Sequence, residues 1–207
     1  MIPLPDALRS SALDEELARA ELYGVLSALY YAPPSAELLS QLQVAATESP
    51  AAGAFLEEPW RALVGVARSL DGATVQAEYE TLFGGVGKPE VYLYGSHYLS
   101  GFLNEKPLAA LRTELLGLGI ERDDAMAETE DHFAFLCEVM RFLIAGDDVA
   151  VSNLAHQQRF FAAHIQPWAL TMCDALQAHP AARFYASLAE LTRSYLSIEA
   201  QSFDMLD

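Results

Sequence analysis

Cysteine is nearly absent. Of 207 residues only Cys137 and Cys173 carry thiols, and each stands alone without a CxxC pair. A disulfide framework and a paired-thiol zinc site are both excluded, and this usage fits a reducing, cytoplasmic compartment. Basic residues are scarce as well, 12 Lys and Arg against 29 Asp and Glu, for a formal net charge of −17. The twelve are scattered singly, so no basic stripe exists to displace counterions from phosphate, and no nucleic acid is expected as a partner. Long apolar runs are missing too: the charge-free stretches 91–104 and 160–173 are shorter than the roughly 18 residues of a membrane span and contain polar residues, so no stable membrane insertion is expected. The first twenty residues hold Pro3, Pro5, Asp14, Glu15 and Glu16 where an export signal would have a basic start and an apolar run. None of the five histidines has Glu three residues before it, and no HExxH occurs, so neither a metal nor another cofactor is expected.

What the chain does have is apolar surface: 52% of its residues are hydrophobic, enough for one sizeable core. They recur with helical spacing almost throughout, which predicts an all-α fold, a single-domain bundle of roughly ten helices spanning 1–207. The first helix is expected from Ser11, as cap, to the stop at Pro33 and Pro34, with Leu22, Val25, Leu26 and Leu29 on one face. Ser35 opens a short second helix with Leu38, Leu42 and Ala45 inward. Pro59 suits the first turn of a third, which carries Trp60, Leu63, Val64 and Ala67 and ends at Asp71-Gly72. Thr74 is expected to cap the next, with Val75, Tyr79, Leu82 and Phe83. Pro107 opens a helix aligning Leu108, Leu111, Leu115 and Leu118 and closed by Gly117 and Gly119. Thr129 is expected to cap the most apolar helix, with Phe133, Leu136, Cys137, Met140, Leu143 and Ile144 as one stripe and Phe135, Val139 and Phe142 as a second. A helix apolar on two faces is central and buried. Three more follow, over 151–165, from Pro167, and through Phe184, Leu188, Leu191 and Tyr195.

Between Gly84 and Gly95 the pattern breaks into glycines, Pro89 and aromatics; irregular connections of that length are usually functional or mobile. The run Gly84-Gly85-Val86-Gly87-Lys88 is not a phosphate loop, because Leu82 replaces its first glycine and Pro89 the Ser or Thr that would bind magnesium. Ser96-His97 lacks the GxSxG elbow of a nucleophile. Asp131 and His132 fall at the start of the apolar helix, where a carboxylate complements the dipole and a neutral histidine packs as core; catalysis or ligand contact is the alternative. From Glu121 to Asp148 nine acidic residues stand against Arg122 and Arg141, a local net of −7. Such a segment is either a solvated face or an acidic rim that attracts a cationic peptide.

Three segments together resemble the TorD/DmsD/NarJ family of redox-enzyme maturation chaperones. They are Tyr79-x-x-Leu82-Phe83-Gly84 with its glycine loop, Tyr94-Gly95-Ser96-His97-Tyr98, similar to a PYxSxY motif, and Glu130-Asp131-His132, similar to an E-P-x-D-H signature. Leu93 stands where the family has proline, and Thr129 near where a second is expected. The resemblance implies a cytoplasmic, non-enzymatic chaperone. It would bind the twin-arginine signal peptide of a molybdenum or tungsten oxidoreductase and hold the apo catalytic subunit back until its cofactor is inserted. An assembly factor for a non-exported molybdoenzyme subunit is the alternative; a nucleotide-binding enzyme is a further one, opposed by the failed phosphate loop. A receptor for such a peptide needs carboxylates beside an apolar groove. The residues expected there are Tyr94, Gly95, Ser96, Tyr98, Glu130, Asp131 and His132, with Phe102 and Trp60 as further groove aromatics. The connection 119–128 is expected to act as a hinge, allowing a monomer with a minor domain-swapped dimer, as the family implies.

Overall fold

The computed structural model describes residues 6–47, 56–84, 88–103, 105–123 and 126–205, with side chains from residue 15 onward. Over these residues the chain forms ten helices: α1 (Asp6–Tyr31), α2 (Ala36–Val44), α3 (Glu57–Ser69), α4 (Gly72–Phe83), α5 (Gly95–Ser100), α6 (Lys106–Leu118), α7 (Phe133–Ala145), α8 (Leu154–His164), α9 (Ala169–Ala178) and α10 (Phe184–Asp204). The sole β-type pairing among the described residues is an isolated antiparallel bridge between Tyr94 and His132. The all-α expectation therefore holds.

α7 is the centre. Phe133 to Cys137, Val139, Met140, Leu143 and Ile144 are all buried, as a helix apolar on two faces requires. α1 packs along it with Tyr23, Leu26, Leu29 and Tyr30 inward, and Tyr30 meets Phe133 edge to face at 5.0 Å. α8 packs on α7, and α10 packs against α9, α3 and α4, so the elements share one continuous core. Each large side chain so buried contributes about 1.5–3 kcal/mol. Two polar fastenings cross this core. Arg19 donates to both oxygens of buried Glu199 at 2.7 and 2.8 Å, tying α1 to α10. Glu78 of α4 accepts the backbone N–H groups of Arg183, Phe184 and Tyr185 at 2.8, 3.1 and 2.8 Å. A carboxylate from a distant helix thereby satisfies donors at the α10 N-terminus that have no partner within the helix.

Several local expectations are corrected. α1 begins at Asp6, so Ser11 lies inside the helix and is not its cap. In α2 the Ser35 cap holds, its hydroxyl accepting from the Leu38 amide at 3.1 Å, but Leu39 and Leu42 are the buried pair. Asp71, not Thr74, caps α4; Thr74 instead donates its amide to the Asp71 carboxylate at 2.7 Å. His132, not Thr129, caps α7. Phe142 is 46% exposed because the second stripe turns to solvent at the end of α7. α5 was not anticipated from the sequence, and α9 starts two residues after Pro167. Pro107 and Gly119 do bound α6, Gly119 closing it in the left-handed region at φ 70°, whereas Gly117 lies inside its last turn and does not close it. Residues 85–87 of the glycine run lie outside the described residues, as do Asp124 and Ala125 of the expected hinge. Among the described residues no helix is long and apolar enough to cross a membrane.

Candidate functional site

Two stretches far apart in sequence are laced together at the N-terminus of α7. The Phe133 amide donates to the Leu93 carbonyl at 2.8 Å and the Gly95 amide to the Asp131 carbonyl at 3.0 Å. Asp131, 3% exposed, completes the lacing with its side chain. Its Oδ2 accepts from the Ser96 amide at 2.9 Å and its Oδ1 from the Thr129 hydroxyl at 2.7 Å. The carboxylate therefore serves the first turn of α5 rather than that of α7. His132 turns the other way: its Nδ1 accepts from the Ala134 amide at 3.2 Å, which leaves the proton of the neutral ring on Nε2. Burial lowers its pKa to about 4, against smaller opposing contributions from Glu128 and Asp131.

Aromatic rings surround this junction. Tyr94 and Tyr31 meet the His132 ring edge to face at 5.1 and 6.3 Å. The Tyr94 hydroxyl donates to Glu128, and burial followed by that carboxylate's charge raises the Tyr94 pKa well above its usual value. Tyr79 donates to the Tyr31 carbonyl at 2.7 Å, fixing the end of α1. Behind the junction Tyr98 stacks on Trp168 at 5.4 Å. Gly95 is required by the same indole, since a Cβ there would stand 2.9 Å from Trp168 Nε1. The Ser96 Oγ is buried and has no hydrogen-bond partner among the described residues.

The acidic residues are mostly engaged. Glu130 is held by Arg112 at 2.8 Å, with Arg122 at 3.9 Å. Burial acts to raise its pKa, but the Arg112 hydrogen bonds and the two guanidinium charges outweigh that and hold it below the usual range. Arg122 also donates to the carbonyls of Met126 and Glu128, bracing the acidic connection.

The seven residues named from the sequence are thus brought together, in two layers. Tyr94, Tyr98 and Glu130 are partly exposed, while Gly95, Ser96, Asp131 and His132 lie beneath them. The expected four-aromatic groove is not formed. Trp60 lies in a separate cavity with α1 and α10 residues, and Phe102 is 71% exposed. The structure adds what periodicity did not show: a cleft of 380 Å³ beside the junction, lined by Ser27, Ala28, Tyr31, Asp123, Met126, Ala134 and Glu138. Its one sequence signal is Tyr31 closing α1 just before the double proline. Among the described residues no group of histidine, cysteine and carboxylate side chains is placed to hold a metal.

A family model described as nitrate reductase delta subunit matches residues 49–174, more than half of the chain. The match takes in all three motif segments, at 79–84, 94–98 and 130–132. Comparison with the curated proteins gives no match.

Proposed function

We propose a peptide-holding role for this chain, which belongs to the nitrate reductase delta subunit family and with it to the TorD/DmsD/NarJ redox-enzyme maturation chaperones. Members of this family are assembly factors for a molybdoenzyme subunit rather than catalysts. The client segment in our reading is the twin-arginine leader of the apo catalytic subunit, held in the cytoplasm until the cofactor is inserted.

The observation that carries this reading is the cleft at the junction, where Tyr31, Ala28, Met126 and Ala134 share the lining with the carboxylates of Asp123 and Glu138, the latter half-exposed in a pair with Arg141 at 2.9 Å. A leader presents guanidinium groups and then an apolar segment. Carboxylates on a rim match the first and apolar walls the second. Glu130 stands close by, paired with a half-exposed Arg112 that an incoming arginine can replace. Gly95, Ser96, Asp131 and His132 act as positioning residues in this scheme, setting the Tyr94 ring and the Tyr31 ring that lines the cleft.

Calorimetry with a synthetic twin-arginine leader of a molybdoenzyme catalytic subunit tests the reading. Binding should weaken when the arginine pair is changed to glutamine, when the apolar segment is made polar, and in Glu138→Gln. An absence of binding to that leader would overturn it. The family description, a subunit of nitrate reductase, is equally compatible with a second reading in which the client carries no export leader. Equal binding of an N-terminal client segment without arginines would select that one.

A further inference from the structure

A second cavity, of 420 Å³, lies between α1, α3 and α10 and shares no residue with the cleft at the junction. Leu22, Val25, Leu56, Trp60, Leu191 and Tyr195 form its walls. Four of these, Leu22, Val25, Leu56 and Trp60, are only half-buried, so the trough presents apolar surface to solvent although its base is core.

The charge around it is one-sided. Glu15 and Glu21, successive rim residues on α1, are exposed and form no ion pair or hydrogen bond among the described residues. Arg19 is the basic residue of the lining, and its guanidinium is already spent on Glu199, with Gln157 at 3.2 Å and Glu16 at 3.9 Å. An apolar trough with unpaired carboxylates in its lining disfavours two occupants. Anionic lipid would meet like charge, and so would a second copy of a chain whose net charge is −17. It complements a helix with an apolar stripe at i, i+3, i+4 and i+7 flanked by Lys or Arg. The volume is within the usual range of ligand sites, about 300–1,000 Å³.

We propose that this trough docks a cationic amphipathic helix of a client protein, as a second point of attachment separate from the junction cleft. Two linked attachments raise overall affinity without further contacts, because the second becomes intramolecular.

The two tryptophans make a direct test, since Trp60 lines the trough and Trp168 stacks behind the junction. The full chain is labelled with 5-fluorotryptophan, and its fluorine resonances are assigned with Trp60→Phe. It is then titrated with a synthetic 18-residue leucine–lysine helix and, separately, a leucine–glutamate helix of the same pattern. The Trp60 resonance should move saturably with the lysine peptide only. Glu15→Lys with Glu21→Lys, both at exposed positions that leave the fold intact, should weaken binding at least tenfold. Three outcomes would each overturn the proposal: an equal response to the glutamate peptide, undiminished binding by the double variant, or a Trp60 resonance that moves with protein concentration alone and so reports a second copy. None of them bears on leader binding at the junction, which is read by the calorimetry with Glu138→Gln.

Discussion

The Oδ2 of Asp131 accepts the Ser96 amide at 2.9 Å across 35 residues of chain, so a side chain just before α7 organises the first turn of α5. Replacing it with alanine leaves that amide and the Thr129 hydroxyl without their partner in a dry setting. Asp131→Ala is expected to cost about 2–3 kcal/mol, read by urea denaturation. Asp131→Asn keeps an acceptor and should cost roughly half as much. Equal stability of both variants and the parent chain would show the lacing to be unimportant.

His132 predicts an acid sensitivity. Its folded pKa is about 4 against a usual value near 6.5, so between these the unfolded chain takes a proton that the folded chain refuses. The stability it contributes is complete above about pH 6.5 and is lost as pH falls toward 4. From pH 7 to pH 5 the loss should be about 2 kcal/mol. His132→Asn retains a capping acceptor without the titration, and its denaturation midpoints should be nearly level over that interval.

At Glu78 three backbone amides converge on one carboxylate. Glu78→Ala strands all three and is expected to destabilise by about 3 kcal/mol or more. Glu78→Gln keeps a single carbonyl acceptor and should fall between. Thermal melting of the two variants, in that order, checks the assignment.

Arg112 is half-exposed in its pair with Glu130, so its removal should change stability by less than about 1 kcal/mol. If Glu130 receives a client arginine by exchange, Arg112→Ala raises leader affinity several-fold. An affinity that drops would mean that Arg112 itself faces the client.

The segment 119–128 joins α6 to the junction, and we propose it as the hinge of a swapped dimer. Helices beyond it would pack on a second copy through the same contacts that α7 makes with α1. Repulsion between two chains of net charge −17 opposes association at low salt. Light scattering after size exclusion should show monomer with a minor dimer that grows with concentration and salt. Dimer at every dilution, or none at any concentration, would contradict the hinge.

Much of this architecture was legible because it is local. Ser35, Pro107 and Gly119 mark helix ends through their own backbone chemistry, and the α7 stripes follow from spacing alone. The misplaced caps share one cause. Thr74 and Thr129 are of the right type, but Asp71 and His132 stand directly before the first helical residue, where their side chains accept from the amides of Thr74 and Ala134. α5 escaped notice since its organising carboxylate comes from another part of the chain. Glu78 left a trace, a lone carboxylate between Val75 and Leu82 on the buried face of α4. Its partners are 105 to 107 residues away, beyond the reach of any local pattern. For the site, the motif residues were found, while the cleft beside them depends on how the end of α1 meets the acidic connection.

That long reach has a consequence during synthesis. Glu78 leaves the ribosome more than a hundred residues before the amides that satisfy it, and Arg19 waits still longer for Glu199. A nascent chain that ends before α10 therefore holds one unmatched carboxylate and one unmatched guanidinium facing an unfinished core. A chain truncated before α10 should therefore lack the stable core of the longer chain, since both groups would be left without the partners that offset their burial.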